Sequence, residues 1–194
     1  MTGRITWVVA AAIAATTWPA DAAAHAFAPR DGLIAGLAHP LGGWDHLLAM
    51  VLVGMLSTRL QRRDLWALPA TFVGVMVLAA GAGMKGWIYP GLEAGISLSV
   101  VVLGLLLIAR AGPRRLVYSA VAVFAALHGA AHGLEAPVQA APGLYVAGFA
   151  SATAALHAVG VFVALLCDQE RWGATAVRGA GAAAALAGTA FVLA

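Results

Sequence analysis

Apolar residues fall into six blocks of near-uniform length, separated by short polar breaks that alternate between arginine-rich and arginine-poor. The blocks cover residues 33–57, 65–84, 93–109, 116–134, 144–167 and 174–194. Each approaches the ~20 residues an α-helix needs to cross about 30 Å of hydrocarbon. None shows the apolar/polar alternation of a barrel strand. The pattern predicts an all-α integral membrane protein, a six-transmembrane-helix bundle. The third block is the shortest and the sixth is rich in Ala. Ala and Gly recur throughout, and small residues let membrane helices approach closely.

The polar breaks set the orientation. One contains Arg59, Arg62 and Arg63, another Arg110, Arg114 and Arg115, and a third Arg171 and Arg178. The alternate breaks carry Lys85 in one case and no Lys or Arg in the other. The positive-inside rule assigns the arginine-bearing loops to the cytoplasm. Residues 1–24 read as a secretory signal: Arg4, the apolar run ITWVVAAAIAA, then Pro19, Asp21 and small residues at Ala22 and Ala24. Such a segment is cleaved, leaving His25 as the mature N-terminus and 25–194 as the six-helix domain. An uncleaved seventh span is the alternative. An even number of spans puts both mature ends outside, where a cleaved signal also delivers His25.

Composition agrees with a multi-pass protein in a lipid bilayer. The chain is 62% hydrophobic and 10% charged, with a mean hydropathy of +0.91, whereas soluble domains are about 45–50% apolar and 25% charged. The net charge of +3 comes from arginines in short loops, and no basic run is long enough to track a nucleic-acid backbone. The single cysteine, Cys167, excludes an internal disulfide and any cysteine-based zinc or iron–sulfur site. It reads as a packing residue, as do Met50, Met55, Met76 and Met84. Trp44, Trp66, Trp87 and Tyr89 fall near block ends and read as interface anchors.

Against this apolar background, two clusters of ligand-type side chains stand out. His128, His132 and Glu135 lie at i, i+4 and i+7 in AVFAALHGAAHGLEAP, within about 60° of one another around a helix axis. His39, Asp45 and His46 occupy HPLGGWDH near the start of the first block. Ionisable groups at membrane depth are costly and mark ion or substrate paths. The orientation puts both clusters in the outer halves of their spans. Glu93, His25 and Asp31 are also outside, while His157 lies 13 residues, or about 20 Å, into the fifth block. His39 and His46, seven apart with Gly42 and Gly43 between them, share one helical face, with Pro40 in the first helical turn. Asp45 points about 100° away from His46 on an ideal helix. It is either an acceptor that orients a ligating His or a ligand brought in by distortion at the glycine pair. Imidazole and carboxylate without thiolate suit a borderline divalent cation. The bland alternatives are an interhelical hydrogen-bond network without metal for the His128 stripe, helix capping for Glu93 and simple packing for His157.

HPLGGWDHLLAM resembles the H-P-x-x-G-x-D-H motif of the HupE/UreJ family of nickel permeases and hydrogenase/urease accessory proteins. LHGAAHGLE is similar to the family's H-G-x-x-x-x-x-E signature. PGLEAGISLSVVVLGLLL, the leader and the six-helix layout extend the resemblance over nearly the whole chain. It implies uptake of Ni²⁺, or of Co²⁺, across a bacterial inner membrane to feed a metalloenzyme. It implies metal-handling roles for His39, Asp45, His46, His128, Glu135 and Glu93. From the ligand chemistry Zn²⁺ and Cu²⁺ remain open, and the sequence leaves a homo-oligomer open too. The resulting expectation is a secondary permease and not an enzyme, with His132 and His25 as further ligands and His157 as an inward relay. No G-x-x-x-x-G-K-[ST] nucleotide signature is present. Two other readings are an intramembrane zinc hydrolase built on the H-x-x-x-H pair of His128 and His132, and a metal receptor or sensor that does not transport.

Overall fold

The structure, a computed structural model, describes residues 32–194. The leader, the cleavage point after Ala24, His25 and Asp31 lie outside the described residues. Seven helices are present among the described residues: α1 (Gly32–Gly42), α2 (Trp44–Ser57), α3 (Asp64–Gly83), α4 (Leu92–Ile108), α5 (Arg114–Leu134), α6 (Pro142–Asp168) and α7 (Gly173–Leu193). All six apolar blocks are helical, and the fold is all-α.

The first block departs from the sequence expectation. It is two helices, α1 and α2, bent by 85° at Gly43, whose backbone is extended (φ −112°, ψ 126°). Glycine is a poor helix former, and Pro40 withholds a backbone donor just before it. Pro40 lies near the end of α1 instead of in a first helical turn, so His39 and His46 do not share one helix face. Four helices, α3, α5, α6 and α7, are long and apolar enough to cross a bilayer, and the bent pair adds a fifth if taken as one span. α4 has 17 residues, short of the ~20 expected of a perpendicular span.

The bundle is assembled from closely packed helix groups: α3 with α5, α4 with α7, and α6 with both α1 and α2. Glycine makes each contact possible. A Cβ on Gly129 or Gly133 would collide with the carbonyls of Met76 or Ala80, and one on Gly83 with that of Ala130. Gly54 and Gly160 abut the carbonyls of His157 and Val51, locking α2 against α6; Gly36 and Gly148 do the same for α1 and α6. α3 and α5 run parallel, since Asp64 meets Arg114 at one end and Gly83 meets Ala130 at the other.

Ion pairs fasten the arginine-bearing end. The buried Asp64 carboxylate accepts from Arg114 Nε (2.9 Å), the Tyr118 hydroxyl (2.8 Å) and the Gln61 N–H (3.2 Å). Arg59 Nη2 donates to both Asp168 oxygens at 2.9 Å. The first ties α3 to α5, the second α2 to α6. Met50, Met55 and Met76 are core residues, whereas Trp66, Trp87 and Tyr89 are exposed, as expected of packing groups and interface anchors. Leu78, Leu105, Phe162 and Leu186 are exposed on the outer helix surfaces, where a multi-pass protein meets lipid.

Candidate metal centre

The histidines line a seam between two helix groups. α3 and α5 supply Phe72, His128 and His132; α1, α2 and α6 supply His39, His46 and His157. Ring centroids step along the seam: His39 to His132 4.7 Å, His132 to His46 5.1 Å, His46 to His128 4.8 Å. Phe72 follows, 5.6 Å from His128 and 5.2 Å from His157. Residues remote in sequence, on helices from both groups, thus form one continuous column of rings. The helix break at Gly43 achieves what a straight helix does not: it turns His39 back over His46, with 6.4 Å between their rings.

Hydrogen bonds fix which imidazole nitrogen carries the proton. His128 Nδ1 lies 2.8 Å from the Phe124 carbonyl and His157 Nδ1 2.7 Å from that of Met50. A carbonyl only accepts, so both Nδ1 atoms donate and each Nε2 retains its lone pair. Asp45 Oδ1 performs the same service for His46 Nδ1 at 2.9 Å, and also accepts that residue's backbone N–H at 2.7 Å. Of the two roles open to Asp45, the geometry matches the orienting acceptor. The Nε2 atoms of His46, His128 and His157, and both ring nitrogens of His132, are buried with no hydrogen-bond partner among the described residues. A buried unsatisfied polar group costs about 1–3 kcal/mol, so such a concentration calls for an explanation. An imidazole pinned through Nδ1 with a bare Nε2 is the form that ligates metal.

At the outer end, His39 Nε2 and Glu135 Oε2 are 3.0 Å apart. Glu135 lies one residue beyond α5, at its C-cap, and from there reaches across to α1. The His39 hydrogen bond holds the Glu135 carboxyl below its ordinary range, against the opposing effect of partial burial. Glu93 is exposed in the first turn of α4. Among the described residues, no three His, Cys, Asp or Glu side chains already converge on one point as a finished metal site. The rings cross edge to face, Glu135 is engaged by His39, and Asp45 by His46. To surround a cation, the His39–Glu135 bond must open and the rings must turn.

Three aromatic residues of the seam are not among the candidates the sequence singles out. Phe72 separates His128 from His157; Phe149 stacks on His132 at 4.8 Å and 6°; Tyr145 packs on His39 at 5.8 Å. Phenylalanine at helical spacing looks like ordinary core. Tyr145 offers one clue, a hydroxyl in an apolar run.

The sequence profile described as HupE / UreJ protein matches residues 11–191. The chain belongs to the HupE/UreJ family. Protein HupE of Rhizobium leguminosarum bv. viciae is 39% identical over 182 residues, which make up 93% of this chain and 95% of that protein. No solved structure matches the chain. The family is one of metal-transport and accessory proteins, not of enzymes, so the hydrolase reading of the His128/His132 pair falls away.

Proposed function

We propose that this chain is a secondary permease that takes up Ni²⁺ across the bacterial inner membrane for hydrogenase or urease maturation, using the histidine seam as its path. The observation that carries the reading is the set of buried Nε2 atoms on His46, His128 and His157, each with Nδ1 pinned by an acceptor. A hydrated cation arriving at the periplasmic mouth separates His39 from Glu135 and exchanges water for imidazole. His39, His132, His46 and His128 supply nitrogen, while Glu135, Asp45 and Glu93 offset the charge. The ion then passes the Phe72 ring to His157. Neutral imidazoles keep the site from holding the ion too tightly to release it. His25, at the start of the mature chain, would add an early ligand.

Ni²⁺ suits this nitrogen-rich set and binds such ligands more tightly than Co²⁺ does; Zn²⁺ and Cu²⁺ compete for the same donors. The membrane potential drives inward movement with about 2.3 kcal/mol per charge per 100 mV. In this reading the bent α1–α2 pair and α4 complete six spans, residues 1–24 are a cleaved signal, and both mature termini are periplasmic. The test is uptake of radiolabelled Ni²⁺ into proteoliposomes by wild type, His128→Ala, His46→Ala and Asp45→Asn. Strong loss of flux is expected in all three. Unchanged flux in correctly folded variants would remove the reading.

A further inference from the structure

The histidine seam is interrupted once. Phe72 stands between His128 and His157, 5.6 Å from the first ring and 5.2 Å from the second, and is itself fully buried. Both neighbours have an Nε2 atom without a hydrogen-bond partner among the described residues; Phe72 offers hydrocarbon only. A divalent cation finds no ligand on an apolar ring, and an unpaired charge in such surroundings is very costly. Interiors are close-packed, so a buried ring vacates its place only if its backbone or its neighbours yield. α3 is weakest at that point. Pro69 stands inside the helix, three residues before Phe72, and has no N–H to give the carbonyl of Leu65. Thr71 Oγ1 donates to the Ala67 carbonyl at 2.8 Å, a back-bond that shares this carbonyl with the helix and favours bending. On either side of this stretch α3 is held. Asp64 is fastened to Arg114 and Tyr118, and the carbonyls of Met76 and Ala80 sit against Gly129 and Gly133. The weak stretch of α3 therefore coincides with the ring that divides the seam.

We propose that Phe72 is the gate of the ion path, closed in this structure, and that bending of α3 at Pro69 opens it. The proposal rests on the transport reading and adds the moving part to it. Loading of His39, His132, His46 and His128 leaves the gate shut, because these rings all precede it along the seam. Delivery to His157 requires the Phe72 ring to leave the gap, and the ring closes again behind the ion. The outer and inner stations are thus occupied in turn, which is what separates a carrier from an open pore. The gate sets the rate of passage and not the affinity of capture.

The experiment uses full-length protein in proteoliposomes, with Ni²⁺ uptake measured against concentration and Ni²⁺ binding measured on the same preparation in detergent. Pro69→Ala restores the missing N–H and stiffens α3 while changing no residue of the seam. The variant binds Ni²⁺ with the wild-type Kd and lowers the maximal uptake rate about tenfold, the effect of a modestly raised barrier. Phe72→Trp, with a larger ring in the gap, also lowers the maximal rate. Phe72→Ala removes the gate: its maximal rate stays at or above wild type, and adding Pro69→Ala to it causes no further slowing. Phe72→Val serves the same comparison where the alanine variant does not fold. Residues with a merely structural role would instead slow uptake additively in the double variant. An unchanged maximal rate in Pro69→Ala overturns the gate while leaving transport through the seam intact. So does a loss from Pro69→Ala that persists in the Phe72→Ala background. A Kd weakened in step with the rate in Pro69→Ala also overturns it, because α3 then shapes the binding site. Wild type that does not take up Ni²⁺ removes the transport reading and the gate together.

Discussion

Replacing His132 by leucine separates stability from function in opposite directions. His132 is fully buried, and neither ring nitrogen has a hydrogen-bond partner among the described residues. A neutral imidazole presents one donor and one acceptor, and each costs about 1–3 kcal/mol when buried unsatisfied. Leucine removes both. It forfeits the stack on Phe149, at 4.8 Å and 6°, which contributes about 0.5–1.5 kcal/mol. The edge contacts with His39 and His46 are lost as well. The balance favours the variant by about 1–2 kcal/mol, which for a chain of this size raises the melting temperature by about 2–8 °C. Nickel reverses the order. At a hundred times Kd, ligand stabilises the wild type by about 2.7 kcal/mol, and the variant forgoes most of that shift. The assay is thermal unfolding of purified protein in detergent, with and without NiCl2, paired with uptake. A metal-free His132→Leu protein less stable than wild type, or one that keeps the full nickel shift, would refute the idea that these nitrogens are retained for a cation.

Two further outcomes follow from the geometry. Gly54→Val places a branched side chain where a Cβ already meets the His157 carbonyl; overpacking of this kind costs about 1–3 kcal/mol, and both melting temperature and uptake should fall, whereas Gly74→Ala, with open space around its Cβ, should be neutral. Acid should act on the metal-free protein through Glu135. The Glu135 carboxyl has an ordinary value near 4.5 that is lowered in the folded protein. Its link to His39 therefore contributes stability above pH 4.5 that is lost as pH falls through the lowered value. Metal-free melting temperature measured against pH should hold this contribution above pH 4.5 and lose it progressively between there and the lowered value, and Glu135→Gln should flatten the acid limb; an identical limb in the variant contradicts the assignment.

Much of this arrangement is legible in the chain because two periodicities are strong. The length of each apolar block announces a helix, and polar groups rare in such a background announce chemistry, so His46, His128, His132 and His157 are found together in space. What a straight-helix projection misses is set by backbone exceptions. Gly43 breaks the first block. His39 reaches the site through a bend and not through a shared face. Asp45 shows the same limit, since its orienting role depends on a turn whose shape the two glycines decide. Phe72 and Phe149 are silent in sequence because an aromatic ring in a membrane helix is ordinary core, and only position relative to the histidines distinguishes them. The glycine contacts between helices are partly visible as Gly129 and Gly133, four apart; their partners on α3 are backbone carbonyls, which carry no residue signature.

The central claim is that imidazoles from both helix groups of the seam ligate a single cation. X-ray absorption spectroscopy of the Ni²⁺-loaded protein tests it most directly. The account predicts a nitrogen/oxygen shell with the outer-shell scattering of at least three imidazoles, reduced stepwise in His46→Ala and His128→Ala. A shell of water and carboxylate oxygen alone, unchanged by both substitutions, would contradict it.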